Sequence, residues 1–208
     1  MERYSWVPVV LLLMSAGIAG AAPAGYDARE RPSISVRIYD YVDMKPDTLS
    51  EAQRIAASFY TAIDITIEWE PTLRLQKHGC NGCGSGKLQD FTINLLNRTM
   101  VARGRWPKDA VGMAAVAPEG GGKIAYVLYD RLRDATSAAG WSLSEFLGVV
   151  IAHELGHLLL PAGAHSDGLM RPNWDVAQPT SFNVHNLAFT PQQTALIRSR
   201  IFRMLAAE

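Results

Sequence analysis

The chain has 208 residues, enough for one domain of ordinary size with small attachments and too short for two full catalytic domains. Lys plus Arg total 20, Asp plus Glu total 20, and 48% of residues are apolar against 19% charged. That balance excludes a disordered chain and a nucleic-acid binder working through a broad basic surface. The two cysteines cannot build a multi-disulfide scaffold, so the fold must rest on an apolar core.

Residues 1–24 read as a signal peptide: Arg3 near the start, an apolar run from Val7 through Ile18, then Ala19-Gly20-Ala21 and Ala22-Pro23-Ala24 as sites of the A-x-A kind. The run is short for a bilayer span of about 20 residues, which favours cleavage over a retained anchor. A secreted or periplasmic protein with no stable membrane insertion is the expectation, with residues 25–208 forming a single domain that is a monomer. In an oxidising compartment Cys80 and Cys83, within the Gly-rich stretch His78 to Gly84, read as a local disulfide. A zinc or redox C-x-x-C site is the alternative, although a structural zinc needs four ligands and only His78 stands nearby.

Ser33 to Tyr39 alternates Ile34, Val36 and Ile38 with polar neighbours, the period of a half-buried strand. Thr48 and Glu51 have the spacing of a capping box, and Leu49, Ala52, Ile55, Ala56, Phe59, Tyr60 and Ile63 follow at helical intervals. Ile65 to Trp69, Phe91 to Leu96, Val111 to Ala117 and Ile124 to Tyr129 read as further strands, the last two joined by Pro118 to Gly122 as a flexible hairpin connection. Five strands therefore precede the next predicted helix. Ser142 and Glu145 open that helix, which runs from Leu143 to about Leu160, where Pro161 stops it. A last helix has Thr190 as cap, Pro191 at its first position and Gln193 closing the box, with Arg198, Arg200 and Arg203 on a solvated face.

From Phe146 to Leu160 the sequence is apolar on nearly every side, so this helix should be buried. His153, Glu154 and His157 are its polar residues. Histidines four apart project from one face about 6 Å from each other and can ligate one metal ion, with Glu154 about 100° round the helix beside them. An unpaired polar group in an apolar setting costs on the order of 1–3 kcal/mol, so three of them need compensation. Zinc on both imidazoles, with Glu154 holding a zinc-bound water, supplies it; two buried histidines bonded to backbone carbonyls, with Glu154 at the surface, is the plainer alternative. Pro161 breaks the helix and Gly163 permits the positive dihedral that turns the chain back, bringing His165 toward the first two as third ligand; Asp167 and His185 are the reserves. Three histidines leave the fourth tetrahedral position open, the pattern of a catalytic site.

At His153-Glu154-Leu155-Gly156-His157, His165 and Gly168-Leu169-Met170-Arg171-Pro172 the chain resembles the metzincin clan of zinc metallopeptidases, the last stretch being similar to its Met-turn. His165-Ser166 through Pro172 is closest to the matrixin branch, and Met170 to Trp174 with Phe189 to Gln193 is similar to an exported bacterial subgroup. Two departures stand out: Leu160 occupies the usual Gly position, and His165 arrives two residues late. Pro172 replaces the tyrosine ligand that some branches carry. The resemblance implies an α+β fold of the zincin type: a five-stranded twisted mixed sheet with one antiparallel edge strand, an active-site helix and a C-terminal helix. It further implies that Gly112, Met113, Ala114, Ala115 and Val116 form the edge strand against which a peptide is laid, and that Met170 packs beneath the ligands.

The implied function is a secreted zinc endopeptidase in which a zinc-bound water attacks a peptide carbonyl and Glu154 is the general base. Its partners are then a peptide or protein substrate and Zn2+, with no nucleic acid. The competing reading is a zinc-containing peptide-binding module without hydrolytic activity; a thiol protein working through Cys80 and Cys83 is a third. Trp174 and His185 are candidates for a pocket wall. Asn97-Arg98-Thr99 matches the glycosylation acceptor pattern.

Overall fold

The first strand shows how alternation becomes a sheet. In β1, Ser33–Asp40, the side chains of Ile34, Val36, Ile38 and Asp40 are buried while their neighbours are half-exposed. The computed structural model describes residues 31–74, 91–172 and 183–207. Residues 1–24, expected from the sequence to be a signal peptide, and Cys80, Cys83 and Trp174 lie outside the described residues. Asp40 ends the strand with its carboxylate turned inward, accepting from the backbone N–H of Val42 at 3.0 Å and of Met44 at 2.9 Å. That pair of bonds directs the chain into α1, Pro46–Thr61.

Helix α1 begins two residues before the predicted cap. Lys45 is its N-cap and makes no side-chain cap bond, because Pro46, with its φ already helical, starts the first turn ahead of Thr48. Short strands β2, Thr66–Trp69, and β3, Leu73–Arg74, follow; both pair with β1. Next come β4, Phe91–Leu96, and α2, Arg98–Arg103. Asn97 is the cap of α2, accepting from Met100 N–H at 3.1 Å while its amide donates to Tyr41 O at 3.0 Å, so the side chain that the glycosylation pattern singles out is bonded at both ends.

β5, Gly112–Ala115, and β6, Ile124–Leu128, complete a six-stranded sheet of order β2-β1-β4-β6-β5, with β3 off this path beside β1. Every pairing is parallel except β5 with β6, so one edge strand runs antiparallel as expected. The sixth strand is the two-residue β3, too short for any periodicity to reveal. The connection from Pro118 to Gly122 is a pinned turn: Ala117 N–H donates to Gly121 O at 2.9 Å and Gly122 N–H to Leu158 O at 3.1 Å.

A further helix, α3, Tyr129–Ala139, was not expected from the sequence; Arg131, Arg133, Asp130 and Asp134 dilute its apolar face to Leu132, Thr136 and Ala139. Then comes α4, Leu143–Leu159, and finally α5, Pro191–Leu205, whose Thr190–Gln193 capping box is complete. Arg198 and Arg200 are not a purely solvated face. Arg198 donates to Ile63 O at 3.0 Å and to Asp64 at 3.1 Å, clamping α5 to the end of α1. The guanidinium of Arg200 lies against Gly121. No helix among the described residues is long and apolar enough to cross a membrane.

The core lies between the sheet and the crossing of α1 with α4. Tyr60 of α1 donates its hydroxyl to Ala152 O of α4 at 3.0 Å, a bond wholly inside the core. The two helices press together at Gly148, where a Cβ would sit 2.7 Å from Ala52 O and 2.8 Å from Ile55 Cβ. Gly148→Ala should therefore destabilise the protein by about 1–3 kcal/mol despite alanine's better helix propensity, since backbone is what it would strike. Urea denaturation of the variant checks this; an unchanged midpoint would show that the helices separate freely.

Candidate metal centre

Helix α4 is held at its start by Ser142, whose hydroxyl accepts from Glu145 N–H at 3.4 Å, and ends at Leu160, where Pro161 prevents another turn. Gly163 takes φ +75°, the left-handed value required to reverse the chain, and His165 N–H then bonds Gly163 O at 2.7 Å. The reversal places His165 beside α4. One nitrogen from each of His153, His157 and His165 lies within 4.8 Å of the other two, so the three together could hold one metal ion. Asp167 and His185, the reserve ligands, are exposed and stand outside this group.

Backbone sets the ring of His153. Its Nδ1 lies 2.8 Å from Leu169 O, and since a carbonyl only accepts, Nδ1 carries the proton and Nε2 keeps its lone pair. The Nε2 atoms of His153 and His157 are 3.0 Å apart. Two ligands on one tetrahedral ion at about 2.0–2.1 Å would stand roughly 3.3 Å apart, so the spacing already suits a shared ion. His153 is buried, His157 half-buried and His165 exposed, which leaves the cluster open to solvent on one side.

Both helix histidines are biased toward the neutral form that ligates metal. Burial pushes His153 down to about 4 against the opposing pull of its Leu169 bond, and burial with the neighbouring His153 and His165 pushes His157 down to about 3. Glu154 moves the other way. Burial raises its carboxyl to about 8, partly offset by a hydrogen bond from the backbone N–H of Ala114. Its Oε2 is buried without a partner, an orphaned acceptor beside the histidines. Gly112 makes room for it: a Cβ there would lie 2.9 Å from the Glu154 Cδ.

The floor of the site is the turn Gly168–Met170. Met170 is fully buried, and a Cβ on Gly156, between the two helix ligands, would lie 2.6 Å from its sulfur. Leu169 N–H donates to Ala188 O at 2.8 Å, and Ser166 N–H to Met170 O at 3.0 Å. Gln193, read in the sequence as a cap, also reaches across to Ser166: its Nε2 donates to the hydroxyl at 2.7 Å, tying the start of α5 to the residue after His165. Neither Leu169 O nor this bond carries a sequence signal, the one being backbone and the other a contact between residues 27 apart.

A cleft of about 900 Å³ runs along the cluster. Gly112, Met113, Ala114 and Val116 line it, together with the three histidines and Glu154. Ala115 does not; it pairs with Ile124 of β6. Because Leu128 N–H bonds Val111 O, residues 111, 113 and 115 turn their backbone groups toward β6, leaving those of Gly112, Ala114 and Val116 on the outer edge.

No protein-family model and no curated protein matches the sequence. Among solved structures the chain is similar to the crystal structure of an archaemetzincin from Methanopyrus kandleri, at TM-score 0.51 and 13% identity, over 84% of this chain and 98% of that one. The fold is thus archaemetzincin-like, with a mixed sheet, a buried helix that carries His153 and His157, and a C-terminal helix.

The shifted groups set a pH profile for the metal-free protein. His153 and His157 titrate lower folded than at their ordinary 6.5, so they remove stability as pH falls below 6.5. Glu154 titrates higher folded than at its ordinary 4.5, so it removes stability as pH rises from 4.5 through about 8. Two histidines outweigh one carboxyl below 6.5, and above it only Glu154 acts. Chelator-treated protein should accordingly lose thermal stability on both sides of about pH 6.5, and Glu154→Gln should flatten the alkaline side. Parallel profiles for the two proteins above pH 6.5 would contradict the assignment.

Proposed function

We propose that the chain is a secreted or periplasmic zinc-dependent endopeptidase. The observation that carries this reading is the convergence of three imidazole nitrogens beside a buried glutamate whose second oxygen has no partner. The donor set fits zinc: three neutral imidazoles with one side open to solvent form the ligand pattern of a catalytic rather than a structural ion. The likeness to an archaemetzincin structure supports the same direction at the level of fold. His153, His157 and His165 would hold the ion. When bound, zinc supplies a Lewis acid that polarises a carbonyl and lowers the pKa of water toward about 7.

The chain's own residues do the rest. Glu154, close to the ligands and raised by burial into the neutral range, can accept a proton from an attacking water and release it to the leaving amine. The Ala114 N–H steadies its carboxylate form, and Oε2, with no partner in the fold, is left for that exchange. An extended peptide would add to the outer edge of β5 through the backbone N–H and C=O groups of Gly112 and Val116 and the carbonyl of Ala114. Leu169 O holds the His153 ring, and Met170 fills the space under α4. Substrates are peptides or proteins, the working form is a monomer, and residues 1–24 are removed on export.

Purified protein should carry one zinc per chain and cleave a denatured protein, lose the activity to a chelator and regain it with added zinc. Glu154→Gln should lower cleavage by at least about 10²-fold and leave zinc content unchanged. His165→Ala should release zinc instead. Stoichiometric zinc with peptide binding but no cleavage under any condition would replace the peptidase by a binding module, and absence of zinc from folded protein would overturn both.

A further inference from the structure

The cleft extends past the histidines along α4, away from the turn at Pro161. Phe146 and Val150 lie on the same face of α4 as His153 and line this arm, and opposite them are Ala135 and Arg131, one turn apart on α3. The arm is apolar along its walls and cationic at one point. Arg131 is half-buried, and its Nη1 donates to Pro107 O at 2.7 Å and Ala110 O at 3.0 Å, which fixes the guanidinium against the loop that leads into β5.

Two carbonyls satisfy donors without neutralising a charge. Among the described residues no carboxylate lies within 4.0 Å of Arg131, whereas Arg98 and Arg133, at the same end of α3, are both paired with Asp130. Lys108 and Asp109 also line the cleft, but both are exposed and of opposite sign, so they largely cancel and are screened. Glu154 is the other acidic side chain in the cleft; burial holds its carboxyl toward the neutral form, and it already accepts the Ala114 N–H. A fixed cation between low-dielectric walls acts on an entering group more strongly than it would in open solvent. Its remaining guanidinium nitrogens have the planar fork that matches a carboxylate.

We infer that this arm selects peptides that place an acidic side chain, Asp or Glu, next to the scissile bond, with Arg131 as the specificity-determining residue. The inference rests on the peptidase reading for the scissile bond but not for the binding event. A charge-assisted hydrogen bond at a partly buried cation corresponds to about tenfold in affinity or more.

The test uses the full zinc-loaded protein and C-terminally amidated peptides in Glu/Gln pairs, the substitution scanned through each position around the cleavage point. Cleavage is read as kcat/KM, and binding in parallel by fluorescence anisotropy of labelled peptides. At one position Glu should be preferred over Gln by about tenfold, with the ratio falling as salt is raised. Arg131→Gln should bring it near one, and Arg131→Glu should favour Lys at the same position. Arg131→Lys separates charge from the clip on Pro107 and Ala110, because an ammonium keeps the former and lacks the fork; it should retain most of the preference. A Glu/Gln ratio near one in the unmodified protein, or a ratio untouched by Arg131→Gln, overturns the inference. If no peptide is cut, the peptidase reading fails and the anisotropy ratio still decides the role of Arg131; absence of any charge preference in binding sinks it.

Discussion

A helix buried on almost every side has no tolerance for polar side chains that lack partners, and α4 is such a helix. Thirteen of its 17 residues are buried, among them His153 and Glu154. His153, Glu154 and His157 each meet a different segment of the chain. Leu169 O comes from the turn after His165, the Ala114 N–H from the edge strand, and the His165 ring from the reversal at Gly163. Those three segments are where the cleft, the candidate metal centre and the outer edge of β5 come together. Burial of the helix and assembly of the site are one event.

The same burial leaves a residue of free energy that a ligand can recover. One oxygen of Glu154 has no partner, and both helix histidines are held neutral well below their ordinary range. An orphaned buried acceptor costs on the order of 1–3 kcal/mol. Metal binding at prepared neutral imidazoles needs no prior loss of protons from His153 and His157, so its free energy goes into the folded state without that offset. A metal ion at this site would therefore stabilise the folded chain, a relation that an apolar helix of the same length would not show.

The parts of this arrangement that follow from periodicity and capping were legible in the sequence. β1, β4 and the complete Thr190–Gln193 box fall where alternation and side-chain chemistry put them, and so does the end of α4 at Pro161. The reversal at Gly163 followed from the same local rules, since only a residue tolerant of φ +75° fits there. What escaped was of two kinds. α3 is rich in charge over its first half and half-solvated, so its apolar stripe is too thin to stand out, and with it Arg131 went unnoticed. β3 and the bond from Gln193 to Ser166 exist only because distant segments meet; two residues have no period, and a glutamine that caps its own helix gives no sign of a second partner. The start of α1 shows a local rule overruled by another, Pro46 initiating the helix before the Thr48 spacing could.

The edge strand joins these threads. Its outer face must stay unpaired if it is to accept another chain, yet an open sheet edge invites unwanted pairing. β5 spans only Gly112 to Ala115, and one of its outward N–H groups is already committed to Glu154. The base of the proposed reaction and the register of an added strand are consequently set by the same stretch of backbone, with Gly112 small enough to let the carboxyl in. A side chain at 112 would displace Glu154, and a shift of β5 by one residue would turn the Ala114 N–H toward β6 and leave the carboxyl with no donor at all. Placement of the glutamate is therefore as much a property of the β5–β6 register as of the helix that carries it.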